Sequence, residues 1–256
     1  MTLELHQFTI AWDLPNPSPF CLKLETWLRL AGLDYQIVPW SPMKAPNGKA
    51  PFVVVDGEVI PDSSRIVREL TARFEVPIDD HLTDAQRATG TLVQRTLEEH
   101  TYFALLCDRW LVDEVWPTYR HVIGQPMPGL IRLPMTAWLR RGVRQACVGQ
   151  GLGRHDIEEV RARGIADVDA VLALLGDQPF FHGEQATSID ATLYAFFAIL
   201  AHPIGVGAFA EHCRGHTGLN AYVERMRQRA WGEGDGPRPG LTDPPDSRGL
   251  GPVTAG

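Results

Sequence analysis

The sequence predicts an α/β domain built on a four-stranded mixed sheet, followed by an all-helical domain. Three observations predict it. Residues 1–78 read in the order strand, helix, strand, strand, strand, helix; period-two alternation disappears from Thr83 onward; and Thr187-Ser188-Ile189-Asp190 carries a capping-box spacing at the head of an apolar run. The boundaries read from the pattern are 1–78 for the first domain, 84–231 for the second, and a tail over 232–256.

The first strand is Leu3-Glu4-Leu5-His6-Gln7-Phe8, which alternates apolar and polar residues. A helix follows, with Leu22, Leu24, Trp27, Leu28 and Leu30 at helical spacing, Ser18 suited to its N-cap and Pro19 to its first turn. Gly32 supplies a left-handed C-cap, and Tyr35 to Trp40 reads as a second strand, making a parallel strand-helix-strand unit. Residues 41–51 form a Pro/Gly/Lys loop. Phe52-Val53-Val54-Val55, a turn at Asp56-Gly57 and Val59-Ile60 make a hairpin. Asp62-Ser63-Ser64 opens a helix with Ile66, Val67, Leu70 and Phe74 on one face. Residues 84 to about 116 read as one long helix, on the 3.6-residue apolar period. Pro117, Pro126, Pro128 and Pro134 mark an irregular crossing. Further helices are expected over 135–148, 156–175, 188–200 and 217–230, and the Gly/Pro-rich tail is expected to be disordered.

Composition limits the function classes. The chain has 256 residues, is 44% apolar, which is ample for a core, and carries a net charge of -7 without a run of like charge. That balance argues against a nucleic-acid surface and against a polybasic membrane anchor. The longest apolar run, Ala191 to Ala201, is too short to span a bilayer. Cys21, Cys107, Cys147 and Cys213 are scattered and form no Cys-x-x-Cys pair, which suits a reducing cytoplasm and gives no zinc-ligand spacing; no metal is expected. Gly149, Gly151 and Gly153 lack the spacing and the preceding strand of a phosphate loop, and His212, Cys213 and His216 read as a helix-end cluster.

One step points to chemistry. Ser18-Pro19-Phe20-Cys21 lies where a strand hands over to a helix, so unpaired N–H groups and the helix dipole favour an anion such as a thiolate there. A thiol at that place is more acidic than a free one. Ser18 is equally explained as a plain helix cap, and Cys21 as a small core residue.

Four motifs together resemble the glutathione transferase superfamily: Ser18 to Cys21, Lys49-Ala50-Pro51-Phe52, Asp62-Ser63, and Thr187 to Asp190 after Phe181-His182-Gly183. Residues 18–29, Leu97-Glu98-Glu99-His100, Gly149 to His155 and Glu224 to Arg227 are similar to its failed-axon-connections and metaxin-like branch. The resemblance implies a thioredoxin-like N-terminal domain and a GST-type helical C-terminal domain. It implies a catalytic Ser18 or Cys21. It also implies a glutathione seat on Ala50 and Pro51, with a cis-proline exposing the preceding main chain, and on Asp62 and Ser63, which take the γ-glutamyl ammonium and carboxylate. Ser18 in place of a first-position cysteine rules out disulfide exchange through that residue; it can only hydrogen-bond and acidify a bound thiol. Glu99, His100, Phe103 and Trp110 on the long helix are candidate walls of an apolar substrate pocket. The implied partners are glutathione or another low-molecular-weight thiol and an apolar electrophile, in a homodimer; composition and cysteine usage add the expectation of a cytoplasmic protein with no nucleic-acid or membrane partner. Glutathione-independent chemistry such as isomerisation or cyclisation, and a non-catalytic binding or assembly module, stay open beside it.

Overall fold

The computed structural model describes residues 2–8, 15–40, 45–124, 129–202 and 207–232; Pro126, Pro128 and the tail 233–256 lie outside them. Strand β1 (Leu3–Gln7) pairs in parallel with β2 (Gln36–Pro39) and antiparallel with β3 (Phe52–Val55), which pairs antiparallel with β4 (Glu58–Pro61). The order β2-β1-β3-β4 is a four-stranded mixed sheet, as the sequence predicts. Helix α1 (Pro19–Leu30) follows β1, and α2 (Ser63–Phe74) follows β4.

The register brings three candidate segments to one end of the sheet. His6 pairs with Phe52 and Phe52 with Pro61. The exit of β1, the entrance of β3 and the exit of β4 therefore lie side by side, and Ser18, Ala50-Pro51 and Asp62-Ser63 all issue from that one end.

The second domain comprises α3 (Asp84–Arg95), a π-helical segment (Thr96–Thr101), α4 (Tyr102–Leu111), α5 (Trp116–Gly124), α6 (Gly129–Gln150), α7 (Ile157–Leu175), α8 (Ser188–Ala201), α9 (Ala208–Gly215) and α10 (Thr217–Trp231). Five details depart from the pattern reading. The long helix stops at Leu111 and contains an inserted π turn, in which Tyr102 N–H donates to Leu97 O. Pro117 does not break structure: it sits in the first turn of α5, where its missing N–H would be unpaired anyway. Residues 208–215 form a helix of their own, and Pro134 lies inside α6.

Two cores meet at α1. Leu24, Trp27 and Leu28 pack with Leu5, Val53, Ile60, Ile66 and Leu70, whereas Leu22 belongs with the helical core around Phe196, Phe197 and Tyr222. Helix α8 is buried from Ile189 to Leu200, and its Ala191 enters the sheet-side core. Trp27 Nε1 donates to Ser188 Oγ at 2.9 Å, and Ser188 N–H donates to Asp79 Oδ1 at 2.9 Å, closing the seam with hydrogen bonds.

The start of α8 is held by Asp190. Its carboxylate accepts from Phe181 N–H (2.8 Å), Thr187 N–H (2.8 Å), Thr187 Oγ1 (2.8 Å) and Tyr222 OH (2.7 Å) while fully buried. Four donors compensate its desolvation, which a buried carboxylate requires. The capping box predicted from Thr187 and Asp190 is formed.

Candidate functional site

Ser18 is the N-cap of α1, in extended conformation, and is half-buried. Its Oγ accepts from Cys21 N–H at 3.5 Å, the outer limit of such a bond. Its own N–H donates to Asn16 Oδ1 at 3.1 Å, and the buried Asn16 is itself anchored by Nδ2 on Phe8 O at 2.8 Å. Capping consumes a lone pair of the hydroxyl and not its proton.

Cys21, three residues on, is placed differently from a reactive thiol. It is fully buried, and burial pushes its pKa up to about 12, with a hydrogen bond from the Ser18 hydroxyl acting the other way. A thiol held neutral and out of solvent is neither nucleophile nor disulfide partner, which corrects its candidacy as a catalytic residue. Of the two candidates, Ser18 is the one that is not fully buried.

The Ala50–Pro51 bond is cis, and Ala50 lies outside the β3 ladder, so sheet pairing does not consume its main chain. Asp62 caps α2 at φ +71, its Oδ1 accepting from Ser64 N–H (3.1 Å) and Arg65 N–H (2.9 Å). A non-glycine residue at that φ is strained, and the capping bonds hold it there. The side chain of Asp62 is exposed, whereas Ser63 beside it is buried. Two helix N-termini, those of α1 and α2, thus face the same end of the sheet with the cis-proline segment between them. This is a concentration of N–H dipoles suited to anionic groups.

Behind Ser63 stands a polar cluster that the spacing of the sequence does not announce. Lys23 Nζ donates to Glu98 Oε1 (2.5 Å), Ser64 Oγ (2.9 Å) and Ser63 Oγ (3.4 Å). Gln94 Nε2 donates to Ser64 Oγ (2.7 Å) and to both Glu98 oxygens (3.2 Å each). Burial lowers the pKa of Lys23, and Glu98 counters it. Of the three polar residues Glu98, Glu99 and His100, the π turn aims Glu98 inward at 7% exposure.

The pocket candidates on this stretch need correction accordingly. Glu99 turns to solvent, its side chain 63% exposed and paired with Arg95. His100 faces α7, with Nδ1 2.6 Å from Asp167 Oδ2, which also accepts from Thr101 Oγ1 at 2.8 Å. Trp110 packs against Trp116 and Tyr119 at ring distances of 5.4 and 5.3 Å. The ring that reaches the N-terminal site is Tyr102, edge-on to Phe20 at 4.9 Å, with Phe103 behind it at 5.5 Å. The residues at the helix end also have separate duties. His212 pairs with Asp169 (2.8 Å), Cys213 is buried, and His216 caps α10 by accepting from Leu219 N–H (3.1 Å).

Comparisons with known proteins bear on the family and the fold. Residues 19–115 match the family model described as the glutathione S-transferase N-terminal domain, and residues 164–226 match the corresponding C-terminal domain. The isoprene-epoxide–glutathione S-transferase of Rhodococcus sp. (strain AD45) is 29% identical over 89% of this chain and 98% of its own length. Failed axon connections of Drosophila melanogaster is 30% identical over 91% of this chain, which spans 59% of that longer protein. Mouse metaxin-2 is 25% identical over 83% of each. Among solved structures, β-etherase LigF from Sphingobium sp. strain SYK-6 superposes with a TM-score of 0.61 at 19% identity, covering 89% of this chain and 95% of its own. A glutathione S-transferase III in apo form gives 0.58 at 17% identity, covering 96% and 100%.

Proposed function

Because the chain belongs to the glutathione S-transferase superfamily, with metaxin-like relatives, we propose that it binds glutathione at the sheet end and directs its sulfur at an apolar electrophile. What carries this reading is the convergence of Ser18, the cis Ala50–Pro51 segment and Asp62-Ser63 on one end of the sheet. In it, Ala50 offers main-chain groups to the cysteinyl part of the peptide, Ser63 and the first turn of α2 receive its γ-glutamyl carboxylate, and Asp62 receives its ammonium. Ser18 donates its hydroxyl proton to the sulfur. A hydrogen bond to the charged form favours the thiolate, and the N-terminus of α1 adds to the same effect.

The thiolate then attacks the electrophilic carbon. The name of the Rhodococcus relative supports a small epoxide as the electrophile. A C–S bond forms, the ring C–O bond breaks, and the oxygen takes a proton from water. Phe20 and Tyr102 provide the apolar wall. A reducing, cytoplasmic setting is supported by four unpaired cysteines, all buried, and a homodimer by the family resemblance. Among the described residues no helix is long and apolar enough to cross a membrane.

Isothermal titration with glutathione tests the reading; a dissociation constant in the micromolar to low millimolar range is expected. Absence of binding at millimolar concentration overturns it. That outcome favours a glutathione-independent protein on the same fold, a second reading supported by the likeness to metaxin-2 and Failed axon connections, whose names state no transferase activity.

A further inference from the structure

Lys23 takes no part in the reading above, yet it stands directly behind one of its residues. An ammonium has three protons to donate. Glu98 Oε1, Ser64 Oγ and Ser63 Oγ accept all three, so Lys23 has none left for a ligand and acts on one only through a neighbour. The two serines differ as neighbours. Ser64 Oγ donates to Glu98 Oε2 at 3.3 Å, so its proton is spent inside the cluster. Ser63 Oγ accepts from Lys23, and among the described residues no protein group takes its proton.

We infer that Lys23, clamped by Glu98 from the opposite domain, is a positioning residue that fixes the Ser63 hydroxyl as a hydrogen-bond donor toward a ligand carboxylate. With its lone pair held by the ammonium, the hydroxyl points its proton outward to the N-terminus of α2. Without Lys23, Ser63 is free to turn its proton inward, toward Glu98 or Ser64, and to present a lone pair to the anion. Glu98 reaches the site because of the π turn, so the helical domain controls the polarity of a seat built on the other domain. Residue insertions of this kind are enriched at functional sites. The inference rests on the reading that Ser63 receives the γ-glutamyl carboxylate.

The test compares glutathione with its analogue lacking the α-carboxylate of the glutamyl residue, by titration calorimetry. Wild type is expected to prefer glutathione by roughly tenfold to a hundredfold, the worth of a hydrogen bond to a charged group. In Lys23→Met the preference falls to the level of Ser63→Ala, where only the first-turn N–H groups remain, while affinity for the analogue is unchanged. Ser63→Ala lowers the preference by the worth of the lost hydroxyl bond, and adding Lys23→Met to it changes nothing further. A merely structural role weakens both ligands equally and leaves the ratio intact. Should Lys23→Met not fold, Lys23→Gln with Glu98→Gln removes both charges together and carries the same comparison. Wild type binding glutathione with the ratio preserved in these variants overturns the inference alone. Wild type failing to bind glutathione overturns the reading of the site, and the inference with it.

Discussion

Ser18→Ala separates the cap that the hydroxyl makes from the thiol contact proposed for it. The lone pair caps α1, but the bond to Cys21 N–H is 3.5 Å long. Loss of a cap ranges over about 0.5–2 kcal/mol, and a bond at the edge of the distance range belongs at the low end, about 0.5 kcal/mol. Pro19 stays in the first turn and keeps the helix start preset. The proton is worth more. Removing one donor from a developing or full anion in a preorganised site costs about a hundredfold to a thousandfold in turnover. The sign of the pH effect follows: a hydrogen bond to the thiolate lowers its pKa, so the alanine variant moves the inflection of the rate profile upward, toward the free thiol near about 8.5. Urea unfolding gives the first quantity, and initial rates with glutathione and a small epoxide over a range of pH give the second. A variant that loses about 2 kcal/mol or more with its rate profile unmoved refutes the reasoning, because Ser18 is then a cap and nothing else.

Cys21→Ala keeps turnover and costs about 1 kcal/mol in urea unfolding. Because the folded pKa of Cys21 is raised to about 12, its contribution is full below the unfolded value, is lost as pH rises from there toward 12, and the variant therefore loses less stability than wild type in alkaline urea titrations. Asp190→Asn turns an amide nitrogen on two of the four buried donors and costs about 3–5 kcal/mol, measured by the same titration; a loss below about 1 kcal/mol contradicts its role at the start of α8. Gly153→Ala sets a Cβ 2.7 Å from the carbonyl carbon of Cys147, a backbone atom that cannot yield, and lowers stability by about 2 kcal/mol or more in thermal unfolding.

What was legible in the sequence was local. The hairpin turn at Asp56-Gly57, the helix start at Asp62-Ser63 and the reciprocal cap between Thr187 and Asp190 each involve residues a few positions apart, where turn and cap chemistry act. The candidates Ser18, Pro51, Asp62 and Ser63 lie toward one sheet end because they flank strands whose register brings those termini together. Lys23 and Glu98 are 75 residues apart, and nothing in their spacing announces a bond. The π turn compounds this: one residue added to a helical ladder rotates everything beyond it, so a 3.6-residue template does not settle which of Glu98, Glu99 and His100 faces inward. Of the rings on this helix, Phe103 and Trp110 are named by the spacing, whereas the turn of the helix brings Tyr102 against Phe20. Pro117 misled for a plainer reason, since proline punctuates the first turn of a helix as readily as it ends one.

Helix α1 gives Leu24, Trp27 and Leu28 to one core and Leu22 to the other, and Trp27 reaches over to Ser188. That double loyalty bears on how such a protein can diversify. A helix with solvent on one side tolerates a new neighbour by changing surface residues. Here, a different helical partner would have to match the shape of α1 side chains that the sheet already constrains. The two halves therefore do not recombine as interchangeable cassettes, and variation is channelled into the loops at the sheet end and into the helix faces that α1 never touches.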